Sequence, residues 1–167
     1  MFLLVMRHGN ADSAGTGSDF DRPISRTGRL DLVSLAQGVS TLEMRPEIIV
    51  HSPLVRTRET AEILVAGLGG QVPLLEAPLL SPGASPAEVQ GEVAGLANFG
   101  SVMVVGHAPD VSEICYFFLA GERGLALQFM PGSLACIEFD EAPEQGRGRL
   151  HWLMSQDELG RLGSSSV

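Results

Sequence analysis

Phe2-Leu3-Leu4-Val5-Met6-Arg7-His8-Gly9-Asn10 is the stretch on which the reading of this chain turns. Five apolar residues in succession are too few for a helix, and a charged pair and a glycine bound them. Such a run predicts a strand buried on both faces, as at the middle of a parallel sheet. Arg7, His8 and Gly9 then fall at its carboxyl end, where open α/β sheets place their ligands. Arginine presents a fixed fork of donors suited to phosphate, histidine serves as base or nucleophile near neutral pH, and glycine permits a tight turn and close approach of a ligand. By itself Arg-His-Gly is equally compatible with a structural histidine at a strand end, so the rest of the chain must decide.

Downstream, Ala11 to Asp21 is a polar loop, and Arg22-Pro23-Ile24-Ser25 leads into a helix with Leu32, Leu35, Ala36, Val39 and Leu42 on one face. Glu47 to Val50 is a second short strand. His51-Ser52-Pro53 follows as strand end, N-cap and first helical position, with Arg56 in the first turn of a helix that Gly69-Gly70 stops. Val72 to Leu75 predicts an edge strand, because Pro73 cannot donate to the ladder. Ser85-Pro86-Ala87-Glu88 has the form of a capping box for the next helix. Ser101 to Gly106 is the second fully buried run, and it ends at His107. Pro109 opens a helix that Gly121 terminates. Ser133 to Phe139 and Arg149 to Met154 read as an antiparallel pair, and the chain is expected to fray from about Gly160. Strand alternating with helix specifies a three-layer α/β/α sandwich on a mostly parallel sheet, one domain over residues 1–159.

Composition narrows the function. At 167 residues the chain can bury roughly 70% of the surface its unfolded form exposes, and so folds without staples. No apolar run approaches the roughly 18 residues of a membrane span, and the first strand lacks the basic leader of a signal peptide. A cytoplasmic protein with no membrane partner is expected. The net charge of −9, with no basic run to override it, argues against nucleic acid as a partner. All eleven basic residues are arginines, which excludes Schiff-base chemistry and a P-loop lysine while leaving arginine-based oxyanion binding open. Cys115 and Cys136 lie in apolar surroundings without metal-type spacing and read as small buried hydrophobes rather than a disulfide.

Three strand-to-helix junctions now carry one kind of chemistry: Arg7-His8-Gly9, Ser52 to Arg56, and Gly106-His107-Ala108-Pro109. Taken singly, Arg56 could be a solvated helix residue and His107 a satisfied capping histidine. Taken together at one sheet edge, two histidines and two arginines at helix N-termini make a site for a phosphoryl group. The motifs Arg7-His8-Gly9, Ser52-Pro53-x-x-Arg56-x-x-x-Thr60 and His107 after a strand and glycine resemble those of the histidine phosphatase superfamily, with its phosphoglycerate-mutase-like fold. The short length, Arg22-Pro23-Ile24-Ser25-x-x-Gly28, Leu80-Ser81-Pro82 and Gly-His-x-Pro make the chain most similar to the SixA-type phosphohistidine phosphatases, from Met1 to about Met154.

That resemblance implies His8 as nucleophile, with Arg7, Arg56 and a cationic His107 as the catalytic clamp. It implies phosphate contacts from Arg7, Gly9, Asn10, Arg22, Arg56, His107 and Ala108, with no metal and no cofactor. The implied partner is a phosphorylated protein, of which a histidine-containing phosphotransfer domain is one example, or a small phosphorylated metabolite. Many ester-cleaving relatives carry a carboxylate after the third strand to protonate the leaving alkoxide, whereas this chain has Ala77-Pro78-Leu79-Leu80-Ser81, unless Glu76 fills in. Losing a general acid costs on the order of 10²–10⁴ in rate. An imidazole leaving group, protonated on its distal nitrogen, departs neutral without that help, which favours phosphohistidine. The rivals are a general small-molecule phosphomonoesterase and a non-catalytic phosphate-sensing module, while phosphoglycerate mutases are longer and use inserted segments over the site. His51 and His151 match no motif and are expected to be structural.

Overall fold

The computed structural model describes residues 1–13, 17–121 and 127–164. Its centre is a six-stranded sheet in the order β3-β2-β4-β1-β5-β6. These strands are β1 (Phe2–Arg7), β2 (Ile48–His51), β3 (Leu74–Glu76), β4 (Ser101–Gly106), β5 (Leu134–Glu138) and β6 (Arg149–Met154). β3, β2, β4 and β1 run parallel, and β5 and β6 continue the sheet antiparallel. The two apolar runs behave as their composition requires. Leu3 to Met6 and Val102 to Val105 are buried throughout, side by side at the middle of the sheet. β3 is the exposed edge strand that Pro73 foretold.

Successive β1 side chains enter opposite cores. Leu3 and Val5 join Val89, Val93, Val111, Ile114 and Phe118, which come from α3 (Pro86–Gly95) and α4 (Asp110–Ala120). Leu4 and Met6 join Leu32, Leu35, Ala61, Leu64 and Leu159, from α1 (Arg26–Thr41), α2 (Val55–Gly67) and α5 (Gln156–Ser164). This is the three-layer α/β/α arrangement expected. Because both layers meet on β1, truncating Leu4 or Leu32 to alanine removes contacts from a fully buried site, at a cost of about 2–5 kcal/mol. The cysteines are free and buried, as expected.

Three local expectations are corrected. Ser52 does not cap α2: that helix starts at Val55, its N-cap position is Leu54 with no side-chain cap, and the Ser52 hydroxyl is engaged elsewhere. Ser85 occupies the N-cap of α3 but its side chain makes no cap bond, so the capping box is present in sequence only. The stretch expected to fray from Gly160 belongs, through Ser164, to helix α5. Leu159 is fully buried, and a Cβ at Gly38 would collide with the Leu159 carbonyl, so α5 lies directly on the backbone of α1. Residues 165–167 of the expected tail lie outside the described residues.

β1 and β2 are consecutive in sequence but separated in the sheet by β4. The carboxyl ends of these strands therefore open together on one edge, and the register sets Arg7 opposite Gly106 and His51 opposite Val105. The next residues, His8, Ser52 and His107, are brought to a single point.

Candidate active site

His8 is held on every side of its backbone. Its N–H donates to the Gly106 carbonyl at 3.1 Å and its carbonyl accepts from Gly132 at 3.0 Å. The following Gly9 N–H donates to Thr60 Oγ1 at 3.1 Å rather than remaining for a ligand, and a Cβ at Gly9 would lie 2.7 Å from Leu32 Cδ1. Glycine is thus needed here for packing under the strand end. The imidazole Nδ1 lies 2.7 Å from the Gly9 carbonyl, which can only accept. Nδ1 therefore carries the proton, and Nε2 carries the lone pair.

Arg56, 4% exposed near the start of α2, donates from Nε to that lone pair at 3.2 Å. Its Nη1 and Nη2 donate to the carbonyl and to Oδ2 of Asp19, at 2.7 and 3.0 Å. Asp19 lies in the short 3₁₀ turn Asp19–Asp21 and also pairs with Arg22 at 2.8 Å. Arg7 donates from Nη1 to the Phe129 carbonyl at 2.7 Å. Burial pushes the His8 pKa down to about 4, against its bond to Gly9, and the charges of Arg56, Arg7 and Arg22 push the same way. His8 is therefore neutral at physiological pH, with a lone pair on Nε2.

His107 faces His8 edge-on, with ring centroids 5.3 Å apart. Its Nε2 lies 2.9 Å from Ser52 Oγ, which also accepts from the Leu54 N–H at 3.4 Å. The Ser52 hydroxyl can give its proton to Nε2 while accepting from Leu54, and in that tautomer the imidazole proton sits on Nδ1. Burial, then the His8 and Arg56 charges, lower the His107 pKa to about 3. His107, expected from sequence to be cationic, is thus neutral in these surroundings. A phosphoryl dianion beside it would favour the charged form again.

Among the described residues, Arg7 Nε, Arg22 Nε and His107 Nδ1 are buried with no hydrogen-bond partner. Buried donors left unpaired are costly, and three that carry or adjoin positive charge define a place for an oxyanion. No grouping of histidine, cysteine, aspartate and glutamate among the described residues could hold a metal ion.

The fold therefore gathers His8, Arg7, Arg56, His107 and Arg22. Asn10 has its side chain exposed and its carbonyl bonded to the Ser25 N–H at 2.9 Å, and Ala108 is exposed beside His107. Glu76 ends the edge strand with its side chain exposed, in register with His51. His51 is buried with Nδ1 on the Ser52 carbonyl, and His151 pairs with Glu138 on β5. Sequence reasoning missed two contributors. Ser52 stood in a quoted motif and could have been assigned from it, whereas Asp19 was one acidic residue in a polar loop, marked only by Arg22 three positions on.

Known proteins match this arrangement. The model of the histidine phosphatase superfamily, branch 1, matches residues 3–81. An uncharacterised protein of Picosynechococcus sp. is 37% identical over 128 residues, 74% of this chain and 76% of that protein. The solved structure of the protein histidine phosphatase SixA complexed with tungstate superposes with a TM-score of 0.84 at 27% identity, covering 95% of this chain and 99% of that one. A mycobacterial glucosyl-3-phosphoglycerate phosphatase shares the fold, with a TM-score of 0.68 at 19% identity over 90% of this chain and 96% of its own. The chain belongs to the histidine phosphatase superfamily. It is a phosphatase of that superfamily, similar among solved structures to SixA. No helix among the described residues is long and apolar enough to cross a membrane.

Proposed function

We propose that the protein removes the phosphoryl group from phosphohistidine on a protein, through a covalent intermediate on His8 Nε2. The observation that carries the choice of substrate is the segment after β3. It forms the short turn Pro78–Leu80, with Ala77 and Leu80 buried, and offers no carboxylate to protonate an alkoxide. Likeness to SixA, which was solved with the phosphate-like anion tungstate, supports the same reading.

In the first step the Nε2 lone pair attacks phosphorus in line, and the bond from phosphorus to the substrate imidazole breaks with its electron pair returning to that ring. Arg56 Nε–H must leave Nε2 for this to happen, and the incoming phosphoryl oxygen gives it a new acceptor. Charge in the loose transition state lies on the equatorial oxygens, so positioning and fixed donors dominate. Arg7, Arg22 and His107 Nδ1 supply those donors. In the second step water attacks phosphorus, and His8 leaves as the neutral imidazole because its proton has stayed on Nδ1, hydrogen-bonded to the Gly9 carbonyl, throughout. The proton from water ends on the released phosphate.

The test is a series of phosphoryl donors graded by leaving-group pKa, together with a phosphohistidine-bearing protein. Phosphohistidine, phosphoramidate and nitrophenyl phosphate should be turned over, with kcat/KM falling steeply toward alkyl phosphates. A flat dependence would identify a general phosphomonoesterase instead.

A further inference from the structure

The two steps above make no use of Asp19, although the fold sets its carboxylate against the site. Oδ2 accepts from Arg56 and Oδ1 from Arg22, and the charge of Asp19 reaches His107. Its side chain is 59% exposed, against 28% for Arg22 and 5% for Arg56, so the carboxylate stays open to solvent while its arginine partners are more deeply placed. A carboxylate offers about four lone-pair sites, and these two bonds leave room for a further donor. Desolvation would raise its pKa, but the Arg56 and Arg22 charges outweigh that and hold it below the usual carboxylate range. An ionised carboxylate cannot protonate a leaving group. It can accept a hydrogen bond from one.

We propose that Asp19 is a specificity-determining residue that accepts a hydrogen bond from the distal N–H of an imidazole leaving group. This rests on the phosphohistidine reading. For the substrate ring to depart neutral, the nitrogen that does not carry phosphorus must be protonated before the bond to phosphorus breaks. A neighbouring carboxylate favours that protonated ring, and the distal proton stays in place while the electron pair returns to the other nitrogen. Toward an oxygen leaving group the same carboxylate has nothing to bind, and it competes with the phosphoryl dianion for Arg56 and Arg22. That competition is common to every phosphoryl donor, so Asp19 selects for nitrogen-bound phosphoryl groups through its bond to the distal N–H.

The experiment compares wild type, Asp19→Asn and Asp19→Ala on phosphoimidazole, 1-methyl-3-phosphoimidazolium and 4-nitrophenyl phosphate. In Asp19→Ala the ratio of kcat/KM for phosphoimidazole to that for the aryl ester should fall about tenfold or more, the loss of a hydrogen bond to a charged group, and in Asp19→Asn, whose amide oxygen accepts without charge, it should fall by less. The methylated donor keeps the positive charge but has no N–H, so its ratio to the aryl ester should respond much less. A phosphoimidazole ratio that does not move, or an equal fall with the methylated donor, overturns the role given to Asp19 and leaves the phosphohistidine reading standing. Wild-type protein that cleaves the aryl ester but neither imidazole donor overturns both.

Discussion

Arg56 and Arg149 carry the same guanidinium and are used in opposite ways. Arg149, on the edge strand β6, is half exposed, and its Nη atoms are matched by Asp140 and Glu138 at 2.7 to 3.1 Å, with His151 adding a contact to Glu138. Those hydrogen bonds and charges raise its pKa. Arg56 is buried behind the carboxyl ends of β1 and β4, and burial is the largest influence lowering its pKa, against the pull of Asp19. Its neighbours Arg7 and Arg22 retain buried Nε atoms with no partner among the described residues. A cluster that supplies all its own counter-charges is surface structure. One that keeps buried donors unmatched is suited to an anion brought from outside.

The comparison can be broken by experiment. The largest effect is expected from His8→Ala, which removes the Nε2 lone pair and should lower turnover on the order of 10⁴-fold or more. Acid-labile, alkali-stable label should be trapped on wild-type protein after rapid quenching and be absent from the variant; label on His8→Ala would move the nucleophile elsewhere. Next comes Arg56→Ala, for which kcat/KM should fall on the order of 10³-fold, in the range of other phosphoryl-clamping arginines. Millimolar phosphate should raise Tm of the wild type by mass action and fail to do so in this variant. Smallest is Arg149→Ala. Its ion pairs lie in water, where screening and side-chain entropy offset the attraction, so neither Tm nor kcat/KM should change measurably. A loss of activity there would mean that the two clusters are coupled through the sheet.

The parallel half of the sheet was legible because β1 and β4 are buried on both faces and read as unbroken apolar runs. The site was legible to the extent that strand ends mark it: Arg7, His8 and His107 each follow such a run. Ser52 was misread because serine before proline is a sound local signal for a helix start, whereas its hydroxyl is recruited by His107, 55 residues further on. Asp19 carried no comparable mark, since only the packing of its turn against α2 distinguishes it from Asp12 or Asp21. Gly160 and Gly163 looked like the residues of a fraying end. In the fold α5 packs on α1, and the lack of a side chain at Gly163 permits the approach, since a Cβ there would lie 2.8 Å from Gln37 Cβ.

The main-chain bonds of His8 also have a consequence for biosynthesis. His8 follows β1, yet the strands that flank β1 are residues 101–106 and 134–138, and the N–H and carbonyl of His8 are tied to Gly106 and Gly132. Contacts of such sequence separation form slowly because a long loop must close before they contribute. A nascent chain therefore carries His8 without these partners until residues 101–138 have been made. The main-chain cage around His8 is complete only when β4 and β5 have both joined β1.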